Sequence, residues 1–176
     1  MVILGIDPGT ATTGYAVARL LRDNRLEAIE YGAIRTPASL PLCQRLGAIY
    51  QAVEDIGRAH RPDAMAVEEL FFGRSARNVF AVGQARGAVL VAAARLGLPV
   101  HEYTPMQVKQ AVTGYGHADK RQVQEMIRVL FGLAQVPRPD DAADALAIAA
   151  CCLHSQGLEL TLAGTGERGE AVDRVR

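Results

Sequence analysis

The chain has no tryptophan, and only 5% of its 176 residues are aromatic. A hydrophobic core must therefore come from Ala, Val, Leu and Ile. Cysteine is scarce too. Cys43, Cys151 and Cys152 make an odd set without metal spacing, which argues against a disulfide framework or a thiolate zinc site. The adjacent Cys151 and Cys152 lie in an Ala/Leu-rich run and read as small buried apolar residues in a reducing compartment. The N-terminus lacks a basic stretch followed by an apolar core and cleavage site. No uninterrupted apolar run reaches the length of a membrane span. These absences lead to the expectation of a cytoplasmic protein with no membrane partner. Net charge is also missing: 19 Lys and Arg balance 19 Asp and Glu. No global field therefore draws the chain to a polyanion.

What is present is one domain's worth of chain, 49% hydrophobic and 22% charged, enough to bury a core. Its charge is unevenly spread. Between Arg74 and Arg128 stand eight basic residues and three acids, leaving 11 basic and 16 acidic residues elsewhere. Such a split permits a face for nucleic acid without establishing one.

Short apolar runs at 2–6, 14–20 and 26–34, joined by tight polar links, predict an antiparallel meander. Helical spacing follows at 40–60, with Leu42, Leu46, Ile49, Val53 and Ile56 on one face. A strand is expected at 63–67, an Ala-rich helix at 75–96 and a strand at 98–103. Helical patterns return at 105–112, 120–131 and 141–154. This order predicts an α/β fold, with a mixed five-stranded sheet (three antiparallel strands, then parallel additions) flanked by helices. Residues 1–156 are expected to form the domain. Residues 157–176, glycine-bearing and charged without a packing pattern, are expected to be a disordered tail.

Acids stand where apolar elements begin or end. Asp7 closes the first strand, and Glu68 follows the apolar strand Ala64-Met65-Ala66-Val67. Asp141 and Asp144 open an otherwise apolar helix. A spacing of three puts both aspartates on one helix face, with β-carbons roughly 5–6 Å apart. Carboxylates that close repel unless a cation bridges them. Each has a bland reading: Asp7 as a turn initiator before Pro8-Gly9, the aspartates as acids at a helix N-terminus, Glu68-Glu69 as a solvated strand end. Those readings explain each position separately but not the three together. Oxygen donors of this kind suit Mg²⁺ or Mn²⁺, and two such ions about 4 Å apart suit in-line displacement at a phosphodiester.

Five segments extend the pattern: Gly5-Ile6-Asp7-Pro8-Gly9-Thr10, Ala66-Val67-Glu68, Gly83-Gln84-Ala85-Arg86-Gly87, Gln107-Val108-Lys109-Gln110 and Asp141-Ala142-Ala143-Asp144-Ala145-Leu146-Ala147. In this order and spacing, over about residues 1–154, the chain resembles the RuvC family of Holliday-junction endonucleases. The resemblance implies an RNase H-like fold and metal-dependent, symmetric nicking of two strands of like polarity in a four-way DNA junction, in recombination and DNA repair. It implies Asp7, Glu68, Asp141 and Asp144 as catalytic metal ligands, with Asp141 the least fixed of the four because some relatives carry His there. It further implies Mg²⁺ or Mn²⁺, two per site, with Lys109 and Lys120 near the scissile phosphate, a homodimer, and RuvA and RuvB branch-migration proteins as partners.

Phe71 matches the family's base-stacking aromatic and Phe72 is the candidate for packing under the following helix, although sequence alone leaves open which of the two stacks on DNA. Arg74, Arg77 and Asn78 follow at an expected helix start, placed for phosphate. Gly83 and Gly87, among Ala81, Ala85 and Ala88, make a small-residue face that fits either a second copy or the domain's own sheet. Two rivals fit less well. An actin-like or sugar-kinase ATP-binding protein needs two such domains, and a generic RNase H lacks the matched lysine and Gln-Ala-Arg-Gly segments.

Overall fold

Residues alternating along a strand face opposite sides of a sheet, so a strand apolar at every position must be covered twice. In β1 (Val2–Asp7), Leu4 and Ile6 enter one core layer, while Ile3 and Gly5 face the other. The chain continues through β2 (Thr12–Leu20), β3 (Leu26–Arg35), α1 (Leu42–His60), β4 (Ala64–Glu68), α2 (Ala76–Leu96), β5 (Val100–Tyr103), α3 (Pro105–Thr113), α4 (Lys120–Leu130) and α5 (Asp140–Gly169). This computed structural model describes the backbone of residues 1–69 and 76–169, and the side chains of 1–69 and 79–157.

The five strands form one sheet in the order β3-β2-β1-β4-β5. β1 pairs antiparallel with β2, as β2 does with β3, while β4 joins β1 and β5 joins β4 in parallel. The expected meander with parallel additions is what forms. One face carries α1 and α2, with Ile49, Val53, Ala85, Val89 and Ala92 packed on Leu4, Ile6, Val17, Met65 and Val67. The other carries α5, with α3 and α4 outside it. Between Ala145 and Leu153 every residue of α5 is buried, because sheet and outer helices enclose it on all sides. Cys151 and Cys152 are buried there as the sequence leads one to expect, and Cys43 is exposed.

Two features depart from the sequence reading. Val79–Leu96 of α2 has the length and mean hydropathy of a membrane-crossing helix, although Arg86 and Arg95 interrupt it. Its inward stripe packs on the sheet, and Arg86 forms an ion pair with Glu102 of β5. At the other end, the expected change to a tail at Gly157 does not occur, since α5 continues as backbone to Gly169. Extending an existing helix costs far less than nucleating one, so scattered glycines need not end it. Residues 170–176 lie outside the described ones.

Candidate active site

Alternation and register bring the first two acids together. Ile3, Gly5 and Asp7 share one face of β1, and Ala64, Ala66 and Glu68 share the same face of β4. The parallel register pairs Gly5 with Ala66 and Ile6 with Val67. One step further, Asp7 and Glu68 leave the sheet side by side, toward α5.

Glycine sets how closely α5 approaches. Gly14 lies across from Asp7 in the β1–β2 ladder. A β-carbon there would come within 2.0 Å of the Asp141 carbonyl oxygen, and one at Gly5 within 2.4 Å of that of Ala145. Lacking β-carbons at both places, the sheet lets the first turns of α5 settle onto it. Asp141 and Asp144 thereby stand over the end of β1. The turn after Asp7 is held from behind. Thr13, fully buried, donates its hydroxyl to Gly9 O at 2.7 Å, and Arg45 Nη2 donates to Thr10 O at 2.7 Å.

The lysines arrive at helix starts. Thr104 caps α3, and Asp119 caps α4, each in a reciprocal box with the Gln three residues on. Lys109 therefore sits one turn into α3, and Lys120 is the first residue of α4. Asp7, Glu68, Asp141, Asp144, Lys109 and Lys120 all line one open cleft of about 500 Å³, with Val82 of α2 on its wall. Glu69 lines it as well, exposed, and no role is assigned to it.

Charge in the cleft is strained. Asp7 is pushed up to about 7 by burial first, then by Asp144, Glu68 and Asp141, with Lys120 opposing. Burial also raises Asp144, against the pull of Lys120. Desolvation works to lower Lys120, but Asp144 and Asp140 outweigh it and leave the ammonium raised. Lys120 Nζ lies 3.1 Å from Asp144 Oδ2 and 3.5 Å from Asp140 Oδ2. Among the described residues no three potential ligands already stand as a closed metal cage. The acids spread round the cleft, with an ammonium among them. Their chemistry nonetheless fits a divalent cation, since every donor is a hard carboxylate oxygen, and the repulsion from Asp144, Glu68 and Asp141 that adds to burial in raising Asp7 is one a cation would relieve.

All six residues expected from the sequence to carry chemistry thus meet in one place. Phe71, Phe72 and Arg74 lie outside the described residues, as do the side chains of Arg77 and Asn78. Their backbone opens α2. Gly14 and Asp140 are the contributors that reading the sequence missed. The first had a signal, a small residue inside an otherwise bulky strand, whereas the second had only its place four residues before Asp144.

A model of the family described as crossover junction endodeoxyribonuclease RuvC matches residues 3–152. The protein of that name from Heliobacterium modesticaldum is 58% identical over 155 residues, which is 88% of this chain and 95% of its own length. The Thermus thermophilus RuvC structure superposes with a TM-score of 0.82 at 42% identity, covering 89% of this chain and 96% of that one. T. thermophilus RuvC in complex with Holliday junction substrate gives the same TM-score at 44% identity, covering 86% and 92%.

Proposed function

The chain belongs to the RuvC family of crossover junction endodeoxyribonucleases, and from that premise we propose that it resolves four-way DNA junctions by divalent-metal-dependent hydrolysis. The observation that carries this reading is the meeting of Asp7, Glu68, Asp141 and Asp144 in one cleft with Lys109 and Lys120. The four acids would hold Mg²⁺ or Mn²⁺, two per site. When bound, such ions supply an activated water and stabilise the leaving oxygen of a phosphodiester. The chain's own part is placement. Asp7 and Glu68 are fixed by the sheet, Asp141 and Asp144 by the seat of α5 on Gly5 and Gly14. Lys109 and Lys120 bring positive charge to the rim, where negative charge develops on the phosphate in the transition state.

Around this site Phe71 is proposed to stack on a base opened at the junction, with Arg74, Arg77 and Asn78 on the backbone phosphates. The domain is proposed to act as a homodimer, one cut per subunit. An exposed stripe on α2, formed by Phe80, Gln84, Gly87 and Val91 at spacings of four, three and four, supports that reading. Gly87 has nothing within 4 Å of where a β-carbon would stand, so its face is free for a second helix. RuvA and RuvB are the proposed partners in a cytoplasmic recombination and repair system.

The test is cleavage of a synthetic four-way junction with and without Mg²⁺ or Mn²⁺, beside linear duplex and RNA–DNA hybrid. Paired, metal-dependent nicks confined to the junction are expected. Equal cutting of linear duplex would overturn junction specificity, and preference for the hybrid would move the activity to an RNase H-like one.

A further inference from the structure

Lys120 is shared between two carboxylates, of which only Asp144 belongs to the cleft. Asp140 stands four residues before Asp144, on the same face of α5 and one turn nearer the rim. Its two oxygens are divided. Oδ1 accepts from the Arg138 guanidinium, and Oδ2 faces the Lys120 ammonium. With 42% of the Asp140 side chain and 55% of Lys120 exposed, the pair can form and part freely.

A divalent cation held by Asp7, Glu68, Asp141 and Asp144 would share the Asp144 carboxylate with Lys120, which engages its Oδ2. An ion bound at Asp144 and the Lys120 ammonium 3.1 Å from Asp144 Oδ2 repel each other across that carboxylate, so metal binding weakens the Lys120–Asp144 contact. We propose that Asp140 is a positioning residue for Lys120: it receives the ammonium as Asp144 turns to the metal, and so keeps it at the rim without competing for the site. Arg138 holds the Asp140 carboxylate ready for this exchange. The inference rests on the metal-binding reading of the four acids given above.

The test is Mn²⁺ binding by the intact protein, followed through the electron paramagnetic resonance signal of the free ion. Asp140→Asn should weaken binding about 3- to 10-fold, because Lys120 is then left to Asp144 alone. The same change made together with Lys120→Gln should have almost no effect, and Asp140→Glu should restore wild-type binding. An equal loss with and without Lys120 would overturn the proposal, since Asp140 would then be a bare surface charge. Unchanged binding in Asp140→Asn would overturn it too. Asp7→Asn serves as the control: if it binds Mn²⁺ as the wild type does, the metal-site reading itself fails, and the proposal with it. At saturating Mn²⁺, Asp140→Asn should keep its junction affinity and cut several-fold more slowly. Cutting at the wild-type rate would remove the holding role.

Discussion

Burial and three neighbouring carboxylates act on Asp7 in one direction, and the result can be read from stability without any substrate. With a folded pKa of about 7 against an ordinary 3.8, the native state keeps a proton that the unfolded chain releases. That contribution to stability is full below about pH 4 and is lost as the pH rises through 7. The metal-free protein should therefore melt lower at pH 8 than at pH 6. Asp7→Asn should flatten that slope and stabilise the metal-free protein at pH 8 by on the order of 2–4 kcal/mol, or several degrees in the melting midpoint. The same substitution, like Glu68→Gln, should abolish cutting while junction binding survives in a gel-shift assay. A variant that neither binds nor melts cooperatively would point to misfolding instead. A side chain that costs stability while it serves chemistry is what an active site leads one to expect.

At the scale of elements, the site depends on how closely α5 lies against the sheet. Gly14→Ala would drive a methyl group into the Asp141 backbone, which cannot rotate away as a side chain could. A loss of about 1–3 kcal/mol is expected in thermal melting. Cutting should fall further than stability does, since a shift of even 1 Å at a catalytic group costs about 10²-fold. Activity that stayed normal well below the melting midpoint would mean that α5 is seated by other contacts. The strands, the antiparallel meander of the first three and the helices were legible because two-fold and helical periods are clear in runs such as Val2 to Ile6 and Leu42 to Ile56. The acids were legible because each interrupts an apolar element. What the one-dimensional pattern did not carry was depth. Nothing in the spacing of Gly14 and Asp141 says that they touch, and nothing about Asp140 shows that it shares Lys120 with Asp144. The extension of α5 past Gly157 was missed for a different reason, because composition weighs residues singly while a helix propagates cooperatively.

On the whole molecule, zero net charge conceals an uneven distribution along the chain. Apart from Arg74, which lies outside the described residues, the basic residues between Arg74 and Arg128 fall on α2, α3 and α4, and Lys109 and Lys120 on two of these helices reach the cleft. Binding to junction DNA should accordingly weaken steeply with added salt, as phosphate contacts release counterions. The opposite side of α2 bears the stripe on which Phe80 is 74% and Val91 54% exposed. Apolar side chains that open to water along one helix face, with a bare glycine between them, are what a partner helix would cover. If a second copy does so, two clefts are tied in a fixed relation, and both strands of a junction can be nicked in one encounter. Val91→Asp places a charge on that stripe, at a position where more than half of the side chain is open to water in a lone chain. Its thermal midpoint should match that of the wild type when measured at a dilution that already separates the subunits. Light scattering at working concentration should then report a monomer. Junctions should be nicked on one strand at a time, so that the fraction resolved by paired cuts falls while single nicks persist. A dimeric mass in this variant would place the interface elsewhere on the fold. A monomer that still made paired cuts would show instead that the two nicks need no physical link between subunits.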